Sequence, residues 1–100
     1  MTFPERTPRQ RIKDLLEMAP LTARRIAEMV GISERQVEDH LIHIVKSVAR
    51  DRTLRFILEP PECKDCDFVF RERERITRPS RCPKCHSEAI STPRYSITRR

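Results

Sequence analysis

The chain has 100 residues, with 21 Lys and Arg against 15 Asp and Glu and a formal charge of +6. That length allows one domain with a modest core, or a small domain with an appendage; no apolar run is long enough to span a membrane, and the charged N-terminus lacks a hydrophobic signal core, so a soluble, cytoplasmic protein is expected. Arg outnumbers Lys, which favours phosphate-bearing partners, although 36% charged residues and a single Gly suit a heat-stable, charge-laced surface equally well.

Residues Met1 to Arg6 read as a loose arm. Thr7-Pro8-Arg9-Gln10 then predicts a helix start, with a hydroxyl cap, Pro in the first turn and Gln three residues after the cap. Ile12, Leu15, Leu16 and Ala19 follow at helical spacing until Pro20 ends the helix. A second, short helix is predicted over Ala23 to Val30, with Ile26, Ala27 and Val30 on its apolar face and Gly31 stopping it. Ser33-Glu34-Arg35-Gln36 is another capping box, opening a third helix to about Arg50 whose stripe is Val37, Leu41, Ile44 and Val48, flanked by Ile42 and Val45. Helix, three-residue turn and longer helix make a helix-turn-helix, with Ala27 small at the crossing.

After Arg52 the period changes to two. Leu54, Phe56 and Leu58 alternate with Arg55, Ile57 and Glu59, and near the C-terminus Tyr95 and Ile97 alternate with Arg94, Ser96 and Thr98. These two strands are the available pair for a wing. The predicted fold is therefore α+β, a three-helix winged helix-turn-helix over residues 7–59 plus 94–98, with residues 60–93 inserted between the wing strands.

The insert carries Cys63-Lys64-Asp65-Cys66 and Cys82-Pro83-Lys84-Cys85, fifteen residues apart, a spacing that falls within zinc-ribbon patterns. Two disulfides are the alternative reading, disfavoured because a Cys-x-x-Cys pair is a poor staple and no secretory signal is present. Four thiolates suit zinc or iron; one zinc ion is favoured, since only Phe68 and Phe70 would shell an iron site. With all four thiolates consumed, no coordination position stays open, and the site is expected to be structural. Many knuckles place Gly after the second cysteine, whereas Asp67 and His86 stand there, so strained turns are expected. Phe68-Val69-Phe70 is predicted as a short strand, and Arg71, Arg73 and Arg75 would share one face if that stretch continues extended.

Taken together, Thr22-Ala23-Arg24-Arg25-Ile26-Ala27, Gly31-Ile32-Ser33, Val37-Glu38-Asp39-His40-Leu41, Glu59-Pro60-Pro61-Glu62-Cys63, Arg78-Pro79-Ser80-Arg81-Cys82-Pro83-Lys84-Cys85 and Pro93-Arg94-Tyr95 resemble a family of small, mostly archaeal predicted transcriptional regulators. In that family a winged helix-turn-helix is fused to a rubredoxin-like zinc ribbon. The resemblance implies a metal on Cys63, Cys66, Cys82 and Cys85.

A DNA-reading role would present Ser33, Glu34, Arg35, Gln36, Asp39, His40 and His43 to base edges. Phosphate contacts would come from Arg24, Arg25, Lys46, Arg50, Arg52 and the ribbon's Arg71, Arg73 and Arg75. Glu34, Glu38 and Asp39 outnumber Arg35 at the start of the third helix, which a polyanion disfavours. Double-stranded DNA is the first expected partner, a protein of the transcription machinery the second, and a redox role for an iron site the third; no membrane is expected, and a homodimer is left open. Enzymatic activity is not expected: Gly31 is the sole glycine, so no phosphate-cradling loop exists, and no serine, histidine and carboxylate set stands out. His40 and His43, one helical turn apart, lack a third ligand.

Overall fold

The computed structural model describes residues 7–71 and 76–100. It is a mixed α+β fold of three helices, α1 (Pro8–Met18), α2 (Ala23–Val30) and α3 (Glu34–Arg50), followed by strands β1 (Leu54–Glu59) and β2 (Arg94–Arg99). The arm at Met1 to Arg6 and the Arg73 and Arg75 positions lie outside the described residues.

Each helix begins where a hydroxyl can satisfy an orphan amide. Thr7 Oγ1 accepts from the Gln10 N–H at 3.2 Å while Gln10 Oε1 accepts from the Thr7 N–H at 3.0 Å, closing the box that opens α1. Thr22 Oγ1 accepts from the Arg25 N–H, and Ser33 Oγ from the Gln36 N–H at 3.1 Å. The second helix ends at Gly31, whose φ of 79° is left-handed and whose N–H donates to the Ala27 carbonyl. A Cβ at Gly31 would meet nothing within 4 Å, so Gly31→Ala costs backbone strain alone. A loss of about 1–2 kcal/mol is expected, to be read as a lower Tm in thermal unfolding of the metal-loaded protein, by about 4–8 °C per kcal/mol.

The apolar stripes converge on one core. Ile12 and Leu16 of α1, Ile26, Ala27 and Val30 of α2, and Val37, Leu41, Ile44 and Val48 of α3 are buried together with Leu54, Tyr95 and Ile97 from the strands. After α3, the Asp51 carboxylate accepts from the Thr53 N–H at 2.8 Å and the Thr53 hydroxyl at 2.6 Å, turning the chain into β1. These hydrogen bonds hold the Asp51 carboxyl below its usual range.

β1 and β2 pair antiparallel, Leu54 opposite Arg99 through Glu59 opposite Arg94. Phe56, Leu58, Tyr95 and Ile97 turn toward the helices, while Arg55 and Glu59 face out. On the other side of β2, Leu21 and Tyr95 exchange both backbone hydrogen bonds, at 2.9 and 2.8 Å, so the segment between α1 and α2 adds one residue to the sheet. That bridge gives no periodic sequence signal, since one residue cannot alternate. The predicted strand over Phe68 to Phe70 is reduced to a bridge between Val69 and Glu62. Proline supplies the reason: Pro61 accepts from the Phe70 N–H but has no N–H to return, so the ladder stops. Among the described residues, no helix is long and apolar enough to cross a membrane.

Candidate functional site

Two turns of the same design build the cysteine site. In the first, the Cys63 N–H donates to the Phe68 carbonyl and the Asp67 N–H to the Cys63 carbonyl; in the second, Cys82 N–H donates to Ser87 and His86 N–H to Cys82. Asp67 and His86 take φ of 62° and 64°, the left-handed conformation expected at those places. Asp and His are among the side chains that tolerate it. The turns face each other because Lys64 donates to the Ala89 carbonyl, Ser91 to the Glu62 carbonyl, and Ser87 Oγ to the Asp65 carboxylate. A second small cluster of buried residues, Cys63, Cys82 and Ile90, is flanked by Cys66, Phe68 and Phe70. The two phenyl rings meet edge to face at 5.1 Å.

All four sulfurs lie within 4.8 Å of one another, with Cys63 and Cys85 3.5 Å apart and Cys66 and Cys82 3.6 Å apart. Those separations exclude a disulfide, whose sulfurs stand about 2.05 Å apart. A tetrahedron with metal–sulfur bonds of about 2.3 Å places its sulfurs roughly 3.8 Å apart, so the four cysteines fit a metal ion as they stand. Cys63, Cys66, Cys82 and Cys85 would hold it, and its chemistry there would be to cross-link the two turns.

The sulfurs are unequal as acids. Burial opposes ionisation of Cys82, but the N–H groups of Cys85 and Lys84, the latter at 3.4 Å, and hydrogen bonds with the Cys66 and Cys85 thiols outweigh it and bring Cys82 down to about 7. The Phe68 N–H favours the Cys66 thiolate, yet burial and the thiols of Cys85, Cys82 and Cys63 push Cys66 up to about 12. Cys85 is also raised, burial and Cys63 overriding the Ser87 N–H. Near neutral pH the metal-free site therefore keeps protons on Cys66 and Cys85 that a metal must displace. Loading is expected to release protons and to weaken as pH falls through the neutral range. Calorimetric titration of zinc in buffers of different ionisation enthalpy measures that release; heats independent of the buffer would refute it.

The residues expected at a DNA interface are dispersed along the exposed side of α2 and α3. Ser33, Glu34, Arg35, Gln36 and Asp39 are exposed at the start of α3, with Lys46 and Arg50 toward its end and Arg71 beyond the first turn of the ribbon. Several are engaged locally. Gln36 Oε1 accepts from the Ser33 N–H at 2.9 Å, so the helix cap holds the amide that was expected to read a base. Arg24 and Arg25 reach the same carboxylate, Glu28, at 3.6 and 3.2 Å. His40 is half-buried and accepts from Arg9 Nε at 3.3 Å; burial, then Arg9 and His43, hold its pKa below the ordinary value despite Asp39. Among the described residues, the four cysteines are the sole cluster of three or more His, Cys, Asp or Glu placed to hold a metal.

Sequence reasoning missed the bond between the two units of the chain. The Tyr95 hydroxyl donates to the Ile76 carbonyl, and the Ile76 side chain packs on the helical core. A tyrosine at an inward strand position was the available signal, because a buried phenol needs an acceptor.

Comparison with known proteins finds matches to both parts of the chain. None of the curated proteins matches the chain. The solution NMR structure of protein PF0610 from Pyrococcus furiosus is similar over 100% of this chain and 99% of its own, with 29% identity and a TM-score of 0.78. Residues 60–100 match the family described as the PF0610 rubredoxin-like zinc beta-ribbon domain, which together with the four sulfurs supports a bound metal ion. Residues 7–57 match the family described as PF0610-like, N-terminal, and the chain belongs to this PF0610-like family.

Proposed function

We propose that the chain is a DNA-binding transcriptional regulator: a winged helix-turn-helix over residues 7–59 plus 94–98, with one zinc ion stapling residues 60–93 into an enlarged wing. The observation that carries this reading is the order of parts. The second helix, a left-handed Gly31 and a capped α3 are followed by β1 and β2, with Leu21 bridged to the far side of β2. That is the layout in which a third helix enters the major groove. The protein has no catalytic role in this reading, and the metal is structural.

Phosphate contacts would rest on Arg24, Arg25, Lys46, Arg50 and Arg71, with Ser33, Arg35, Gln36, Asp39 and His40 closest to the bases. Arg24 and Arg25 would exchange Glu28 for phosphate, and Gln36 would leave its cap. Selection of genomic fragments by the metal-loaded protein at near-physiological salt, repeated after chelation, tests it. An enriched motif is expected, with affinity falling steeply as salt rises. Binding without a motif would overturn the reading.

A second reading has its own support. The acidic start of α3, the engaged Gln36 amide and the shared Glu28 carboxylate all favour a module that docks on a protein of the transcription machinery. Recovery of one stoichiometric protein partner, without motif enrichment, would decide for it. An iron site would show as visible absorption of the purified protein.

A further inference from the structure

The outer edge of β1 carries a self-complementary pattern. The Arg100 N–H donates to the Thr53 carbonyl, and Tyr95 gives both its backbone groups to Leu21. With the register Leu58 opposite Tyr95, these bonds fix which residues of β1 face β2. Arg55, Ile57 and Glu59 direct their backbone groups to β2; Leu54, Phe56 and Leu58 direct theirs to the opposite edge. On that edge the Leu54 N–H donates to the Asp51 carbonyl and the Leu54 carbonyl accepts from Arg100 Nε. Among the described residues, nothing takes the backbone groups of Phe56 and Leu58.

We propose that a second copy of this chain pairs antiparallel with this edge, about a two-fold axis through Ile57. Only one register uses both open residues fully. Phe56 of each copy then exchanges two hydrogen bonds with Leu58 of the other, and Ile57 meets Ile57 on the axis. In the same register Arg55 stands opposite Glu59 on the outer face at both ends, an opposite-charge pair repeated by symmetry. Phe56 and Leu58 also meet across the new seam on the helix-facing side, where each is half-buried in the single chain. Moving the register so that Phe56 meets Phe56 sets Arg55 against Ile57, and moving it so that Leu58 meets Leu58 sets Phe56 against Pro60, which has no N–H to give. Pro60 and the turn at Asp51 limit the seam to four backbone hydrogen bonds, so a reversible, concentration-dependent dimer is expected. The proposal does not depend on DNA binding.

The test is sedimentation equilibrium of the full, metal-loaded chain over a wide concentration range, with amide exchange read at Phe56 and Leu58. The mass is expected to climb from 11.9 kDa toward twice that value as those two amides become protected. Arg55→Glu places like charges together at both ends and should weaken association about tenfold. Glu59→Arg should do the same, and the doubly exchanged chain should recover the dimer. Arg94→Gln removes the 3.9 Å ion pair to Glu59 within one chain and should leave association intact. A monomer at every concentration overturns the proposal: with both amides exchanging freely the edge is bare, and with both protected it is covered from within the same chain. A dimer insensitive to Arg55→Glu uses another surface and overturns it equally.

Discussion

Removal of the metal is expected to unfold residues 60–93 while the three helices remain. The reason lies in the sizes of the two cores. Among the described residues, the apolar cluster of the helical unit has twelve buried members, whereas that of the ribbon has three, and two of those are the cysteines Cys63 and Cys82. A segment of that length cannot bury enough apolar surface to fold unaided. Binding of a structural metal is worth about 10–16 kcal/mol at neutral pH, which dominates everything else in the ribbon. Chelation, or Cys82→Ser, should therefore abolish amide protection at Cys63, Asp67 and His86, which donate within the two turns, and at Lys64, which donates from the first turn to Ala89. Amides in the middle of α1 and α3 should keep theirs. Hydrogen exchange followed by NMR reads both groups at once. Loss of the helices at the same chelator concentration would mean that the two cores fold as one, and persistence of the turns would mean that the metal contributes little.

The helical unit was legible because its residues carry redundant local signals. Thr7-Pro8-Arg9-Gln10 and Ser33-Glu34-Arg35-Gln36 mark helix starts by cap chemistry, Gly31 marks a stop, and Val37, Leu41, Ile44 and Val48 mark a buried face by spacing. The cysteine site was legible for a different reason: tetrahedral coordination needs four sulfurs, and the chain holds four in two pairs. The partner that each polar side chain takes left no such trace. Gln36 reads from sequence both as a capping residue and as a base reader, and only the position of its Oε1 shows that the cap holds it. Arg24 and Arg25 read as free cations, yet Glu28 lies one helical turn away from both. The link from Tyr95 to Ile76 joins residues 19 apart across the ribbon, which no local pattern encodes.

Tyr95 is expected to be the most costly position outside the cysteines, and two substitutions there should separate its roles. It is among the largest fully buried side chains, with its ring 6.2 Å from that of Phe56, its backbone bridged to Leu21 and its hydroxyl on the Ile76 carbonyl. Three segments distant in sequence thus meet at one residue. Tyr95→Ala removes the ring from the centre of the sheet's inner face and should cost about 3–5 kcal/mol. That loss falls on the helical core, so the whole chain should unfold at lower denaturant. Tyr95→Phe keeps the ring and removes the hydroxyl, leaving the Ile76 carbonyl without its donor, at about 1–2 kcal/mol. Its main effect should be local: faster amide exchange in the segment after Ile76, with the denaturant midpoint of the helices shifted only slightly. If the Phe variant exchanges like the parent throughout the ribbon, the hydroxyl does not couple the units, and the packing of Ile76 on the helical core carries the attachment alone.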